Sequence, residues 1–154
     1  MRVIAIDPGR HGAIAYLGES KAWVWDLPYR DGLEGPEDSP MVDLEKLHAI
    51  LANTDKVDVQ IIEKPQWRMG ISAKNAATAF FNFGRLTSLF KCPFVVHAAV
   101  WKKELALTSD KNLSLHIARL LFPELQSVLT LKKHEGRAEA VLLGEYARRT
   151  LAGF

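Results

Sequence analysis

The sequence predicts an α/β domain, a five-stranded mixed sheet flanked by helices, in which three strands run in succession before helix and strand alternate. Two observations carry this. Short apolar runs at 2–7, 12–18 and 21–27 follow one another across brief glycine-containing turns, Pro8-Gly9-Arg10-His11-Gly12 and Gly18-Glu19-Ser20. Further on the hydrophobic period changes, and helical patterns at 41–53, 73–90, 100–105, 110–121 and 135–151 interleave with strand-like runs at 57–63 and 93–97.

The first run, Val3-Ile4-Ala5-Ile6-Asp7, is apolar on both faces, the mark of a strand covered on both sides. Alternation puts Val3, Ala5 and Asp7 on one side and Ile4 and Ile6 on the other. By the same count Val57, Val59, Ile61 and Glu63 share a face. If these two strands are parallel neighbours, Asp7 and Glu63 emerge side by side at their carboxyl ends, where open α/β sheets place their ligands. Residues 28–40, with Gly35-Pro36, Pro40 and several acids, read as a mobile loop. The helix at 41–53 turns Val42, Leu44, Leu47, Ile50 and Leu51 inward. The helix at 73–90 carries Ala76, Ala77, Phe80, Phe81, Gly84 and Leu86. Its Phe80, Phe81 and Phe83 exceed one narrow core stripe, so some face a partner or pack under the loop at 64–70.

A length of 154 residues suits one domain, and 48% hydrophobic with 25% charged residues is ordinary for a soluble protein. No apolar stretch is long enough to span a bilayer, and the N-terminus enters a strand without a signal peptide, which predicts a cytoplasmic protein with no membrane partner. The single Cys92, read as core or near-core, leaves no internal disulfide framework. The five histidines are scattered without paired ligand spacing, which argues against zinc. The net charge of +2 divides into −6 through Glu63 and +8 from Lys64 onward. Lys64 and Arg68 follow Glu63, while Lys132, Lys133 and Arg137 surround Glu135. Acids with bases beside them suit a polyanionic substrate such as nucleic acid.

Near the C-terminus, Glu135 and Glu139 are four apart and share one helix face, where like charges repel by a few tenths of a kcal/mol. A cation between them relieves that repulsion. Each acid alone has an ordinary reading. An Asp before Pro-Gly is a turn residue, Glu63 before Lys64-Pro65 is a solvated strand end, and the helical pair is a solvated face. Together they point elsewhere, because all four stand where elements begin or end. Carboxylates gathered from separate elements hold hard divalent cations, which points to metal-dependent phosphodiester chemistry.

Ile4-Ala5-Ile6-Asp7-Pro8-Gly9 with Gly12-Ala13-Ile14-Ala15, then Ile61-Ile62-Glu63-Lys64-Pro65, resembles the RuvC-type Holliday junction resolvases of the ribonuclease H-like superfamily. Trp101-Lys102-Lys103, Asp110-Lys111 and His134-Glu135-Gly136-Arg137-Ala138-Glu139-Ala140 are similar to the compact phage-type branch, and the resemblance covers nearly the whole chain in order. It implies a ribonuclease H-like fold and a homodimeric endonuclease that cuts four-way DNA junctions by symmetric nicks. The implied cofactors are two Mg²⁺ ions per active site, with Mn²⁺ as a substitute and no small-molecule cofactor. The implied products carry 5′-phosphate and 3′-hydroxyl ends. By position, Asp7 matches the family's first-strand metal ligand and Glu63 its central-strand ligand, while Glu135 and Glu139 stand where its last two acids lie. Members commonly show Asp, sometimes with His, at closer spacing, so His134 remains an alternative to Glu135 as the third ligand.

Relatives also carry an aromatic near Trp67, which either meets a base at the junction centre or caps the core. Lys64, Arg68, Lys102, Lys103, Lys111, Lys132, Lys133 and Arg137 are the expected nucleic-acid contacts; Lys111 has the simpler reading of a solvated helix start. Two rival functions stay open. One is a ribonuclease H-like nuclease for flaps, forks or RNA–DNA hybrids. The other is a junction-binding protein without chemistry, against which the acidic set argues, since acids repel DNA unless metal is present. An actin-like or sugar-kinase ATPase shares an Asp-Gly first turn but needs two such domains. The expected setting is a bacterial cell or a phage-infected host.

Overall fold

The computed structural model describes residues 1–9, 11–30, 40–67, 69–91, 93–108 and 110–153, and it leaves the side chain of Lys111 undescribed. Arg68, Cys92, the Lys111 side chain and most of the loop expected at 28–40 therefore lie outside the described residues.

Five strands make one mixed sheet. β1 (Val3–Asp7), β2 (Ala13–Leu17) and β3 (Ala22–Asp26) form an antiparallel meander, with Val3 opposite Leu17 and Asp7 opposite Ala13. Two-residue strands β4 (Tyr29–Arg30) and β5 (Met41–Val42) pair separately. Then β6 (Val59–Lys64) lies parallel to β1, and β7 (Phe94–His97) parallel to β6, giving the order β3-β2-β1-β6-β7. The helices are α1 (Leu44–Leu51), α2 (Ala73–Leu89), α3 (Ala98–Glu104), α4 (Lys111–Leu121) and α5 (Glu135–Thr150). The expected fold class is the observed one. No helix among the described residues is long and apolar enough to cross a membrane.

Each sheet face has its own core, as the doubly apolar β1 requires. Val3 and Ala5 of β1, Val59 and Ile61 of β6, and Ala13, Ala15 and Leu17 of β2 pack beneath α5. Ile4, Ile6, Ile14, Tyr16 and Ile62 form the opposite core with Leu47 of α1 and Leu86 of α2. Burying a Leu or Ile contributes about 1.5–3 kcal/mol, so the two layers hold the sheet from both sides. Gly144 sets how closely α5 approaches: a Cβ there would lie 2.7 Å from Leu17 Cδ1 and 3.4 Å from the Ala5 Cβ.

One expected helix starts later than the pattern at 41–53 suggested. Met41 and Val42 are in β5, and α1 begins after Asp43, whose Oδ1 accepts the N–H groups of Glu45 and Lys46 at 3.1 Å each. An aspartate in this role stops the helix from extending upstream. The buried Asn82 of α2 secures the strand, accepting from Val42 N at 2.9 Å and donating to Pro40 O at 2.8 Å. Short 3₁₀ turns at Pro123–Val128 and Lys132–His134 were not expected from the sequence. Of the phenylalanines on α2, Phe83 packs into the second core, Phe81 lies 5.8 Å from the Arg85 guanidinium, and Phe80 is exposed.

Helix α3 ends in a paired turn. Ala106 N donates to Lys103 O at 3.0 Å and Leu107 N to Lys102 O at 2.7 Å, with Ala106 at φ +53°. This motif normally carries glycine, because a left-handed L-residue costs about 1–2 kcal/mol. Glycine would remove that strain while losing about 0.5–1 kcal/mol to unfolded-state entropy. Ala106→Gly is therefore expected to raise unfolding stability by about 0.5 kcal/mol, read as a higher urea midpoint at unchanged m-value. A lower midpoint would mean that contacts of the Ala106 methyl outweigh the backbone strain.

Candidate functional site

Strand pairing builds the site. Ile6 is opposite Ile62 in the parallel β1–β6 pair, so Asp7 and Glu63 are the next residues along adjacent strands. Alternation then aims both side chains at the face covered by α5, because Ala5 and Ile61 lie on that face. Helix α5 brings Glu135 and Glu139 to the same place. All four carboxylates line one cleft of about 900 Å³, together with Lys102 and Lys103 of α3. Asp7 and Glu63 had been expected side by side on pattern alone, and the register produces that arrangement.

Glycines let the elements meet. A Cβ on Gly136 would lie 1.9 Å from the His11 carbonyl oxygen, so only glycine allows the start of α5 to rest on the turn after β1. A Cβ on Gly12 would lie 2.1 Å from the Asp7 carbonyl oxygen, within the same tight turn. Gly12 N donates to Gly9 O at 2.7 Å, and the Tyr29 hydroxyl donates to that same oxygen at 2.8 Å. Asp7 Oδ1 accepts from Gly9 N at 3.0 Å. The turn role and the cleft role of Asp7 thus coexist.

Electrostatics in the cleft are strained by like charge. Burial raises the Asp7 carboxyl, and Glu63 and Glu139 raise it further, to about 8, against the pull of Gly9 N–H and Lys102. Burial, and secondly Asp7, also push the Tyr29 phenol up. Lys102 answers part of the repulsion with an ion pair from Nζ to Glu139 Oε1, and its ammonium lies 5.2 Å from the Trp101 ring centre. Trp101, fully buried, donates from Nε1 to Glu63 Oε2 at 2.7 Å.

Among the described residues, no three Asp, Glu, His or Cys side chains stand close enough to share one ion as placed. The chemistry of the donors nonetheless fits a hard divalent cation. Every acidic group lining the cleft offers oxygen, and Asp7, Glu63, Glu135 and Glu139 supply four carboxylates to it.

His134 lies apart from the acids. It ends the 3₁₀ turn Lys132–His134, one residue before α5, and its Nδ1 accepts from Leu131 N at 3.2 Å. It lines a separate cavity of about 330 Å³ with Asp26, Tyr29 and Arg137, and burial first, then neighbouring cations, lower its pKa. Glu135, not His134, is the residue that reaches the cleft. Arg137, expected at a nucleic-acid contact, grips Asp26 through Nε to Oδ1 at 2.7 Å and Nη2 to Oδ2 at 2.6 Å, and donates to Val128 O at 3.0 Å. That tie holds the Asp26 carboxyl below its ordinary range and joins α5 to β3.

The remaining basic candidates differ in how near they come to the cleft. Lys103 lines the cleft; Lys64 is exposed at the end of β6, and Lys132 and Lys133 are exposed before α5. Trp67 is 62% exposed, which is too open for a core cap. The bonds from Trp101 to Glu63 and from Lys102 to Glu139 were not read from the sequence. The usable signal was a tryptophan in a helix rich in apolar neighbours, since a buried indole N–H requires an acceptor.

Solved structures that share this architecture include two of Thermus thermophilus RuvC. One is Thermus thermophilus RuvC in complex with a Holliday junction substrate, 14% identical, with a TM-score of 0.55 over 97% of this chain and 95% of that one. The chain has the RuvC fold. The second, a structure of Thermus thermophilus RuvC, is 16% identical at TM-score 0.55, covering 97% of this chain and 96% of that one. No protein-family model and no curated protein matches the chain. The likeness to RuvC is one of fold, and it spans the elements that carry Asp7, Glu63, Glu135 and Glu139.

Asp7 has a consequence for stability. Its carboxyl is raised on folding from 3.8 to about 8, so the native state binds more protons than the unfolded state between those values. Stability from this group is present below the unfolded pKa and is lost as pH rises through the folded one. In EDTA, Asp7→Asn is expected to melt higher than the wild type at pH 8 by at least about 2–4 °C, and by less at pH 5. Equal melting temperatures at pH 8 would show that neither burial nor the neighbouring carboxylates raise Asp7.

Proposed function

We propose that this chain is a divalent-metal-dependent endonuclease that cuts four-way DNA junctions. One observation supports this most: four carboxylates from two strands and a helix converge, with Lys102 paired to one of them, at one cleft of a fold shared with a RuvC bound to a Holliday junction. Asp7, Glu63, Glu139 and Glu135 would hold Mg²⁺ or Mn²⁺, two ions being what the carboxylate number suits. When bound, the ions would lower the pKa of a water and stabilise the departing 3′ oxygen, leaving 5′-phosphate and 3′-hydroxyl ends.

The chain's own residues do the rest. Asp7 and Glu63 are fixed by the sheet register, so they act from a rigid edge. Lys103 lines the cleft and offers a cation to the scissile phosphate, while Lys102 screens the acids. Exposed Trp67, on the loop after Glu63, is available to stack on a base where the arms meet. Lys64, Lys132 and Lys133 supply further phosphate contacts, and Arg68 and Lys111 are proposed for the same role. Paired nicks in a two-fold symmetric junction call for two copies of the site, hence a homodimer. The exposed Phe80 and the exposed edge residues Phe94 and Val95 are candidates for its contact.

The test is cleavage of labelled four-way junctions, flaps, forks and RNA–DNA hybrids in parallel, with Mg²⁺ and with EDTA. Symmetric nicking of the four-way junction only with Mg²⁺ is expected. Asp7→Asn and Glu63→Gln should each lose at least about a hundredfold in rate while keeping junction affinity, since they remove a charge but not the side chain's shape. A variant retaining more than about a tenth of the wild-type rate would remove that acid from the site. Preferential cutting of hybrids or flaps would reassign the substrate.

A further inference from the structure

We infer that Trp101 is a positioning residue for Glu63, setting the orientation in which that carboxylate meets the metal; this rests on the proposed metal site. Trp101 sits in α3 with no exposed surface, in the core shared with Ile61 and Leu107. Its Nε1 donates to Glu63 Oε2 at 2.7 Å, a short charge-assisted bond. Burial of Trp101 in this core, together with Leu107 just after the helix, anchors the indole beneath the sheet. The indole N–H is therefore a fixed point against which Glu63 is held.

The neighbouring residue shows why a neutral donor suits this place. Lys102 reaches Glu139 with a full positive charge, which competes with any cation that Glu139 would bind. Trp101 brings no charge. It restrains the Glu63 rotamer while leaving the carboxylate its whole negative charge for an ion, as donors behind metal ligands do. A flexible glutamate at a strand end would otherwise lose rotamer freedom on binding metal. A tryptophan kept only for packing would be replaceable by phenylalanine, which keeps a ring and removes the N–H.

The experiment titrates Mn²⁺ calorimetrically into wild type, Trp101→Phe, Glu63→Gln and the double variant, with melting temperature and EDTA-state junction affinity measured alongside. Wild type should bind Mn²⁺, and Trp101→Phe should bind about tenfold more weakly, within the range of about 10–100-fold seen for such partners. Junction affinity should stay unchanged, and the Mn²⁺ needed for half-maximal cleavage should rise by the same factor. Adding Trp101→Phe to Glu63→Gln should weaken binding little further, because the two act through one bond. Equal Mn²⁺ affinity in Trp101→Phe and wild type, or fully additive losses in the double variant, would overturn the inference while leaving the metal site standing. A wild type that binds no Mn²⁺ would overturn the metal reading itself. If Trp101→Phe does not fold, the indole ¹H–¹⁵N signals of the four tryptophans decide the matter. The most exchange-protected one should shift both in Glu63→Gln and on adding Mg²⁺ to wild type, and an unmoved signal in both would overturn the inference.

Discussion

Asp7 and Glu63 leave the sheet side by side because Ile6 pairs with Ile62, and the repulsion between these carboxylates, joined by Glu139, is the constraint on which the site depends. It follows from two plain rules, the period of two along a strand and the in-register pairing of parallel neighbours. Both acids must then face α5, and α5 must start with acids of its own. A fold stabilised only for packing would place apolar or neutral groups there. Here the apolar core stops at Ile6 and Ile62, and charge begins at the next residue of each strand.

The other parts of the site respond to that charge. Lys102 puts an ammonium on Glu139, Gly9 N–H supports Asp7, and the Trp101 indole holds Glu63. Three elements meet within a small space because glycine occupies the contacts. Gly136 lets α5 touch the carbonyl of His11, and Gly144 lets it lie against Leu17 and Ala5. A methyl group at either position would push the helix, and Glu135 and Glu139 with it, away from the strand ends.

Much of this was legible in the sequence, for identifiable reasons. The alternation in Val3–Asp7 and in the run ending at Glu63 placed both acids on one face, and the spacing of Glu135 and Glu139 placed them on one side of α5. What was not legible depends on tertiary approach. Nothing local says that Lys102 meets Glu139, 37 residues away, or that Arg137 closes on Asp26, 111 residues away. Charge in sequence does not reveal its partner in space, so the Arg137–Asp26 pair was not foreseen. His134 stood as an alternative to Glu135 because the resembling family sometimes carries His there, and only the fold shows which side chain lines the cleft. The start of α1 was misplaced for a smaller reason: Asp43 as a capping residue was overlooked within an otherwise continuous apolar period.

The central claim is that the carboxylates of β1, β6 and α5 form one cation site, and a crystal of the protein soaked in Mn²⁺ tests it most directly through anomalous scattering. The expected result is a peak with oxygens of Asp7, Glu63 and Glu139 within roughly 2.0–2.6 Å, and with the Lys102 ammonium moved off Glu139. A Mn²⁺-saturated crystal whose peaks lie elsewhere, with the Lys102–Glu139 pair intact, would contradict it.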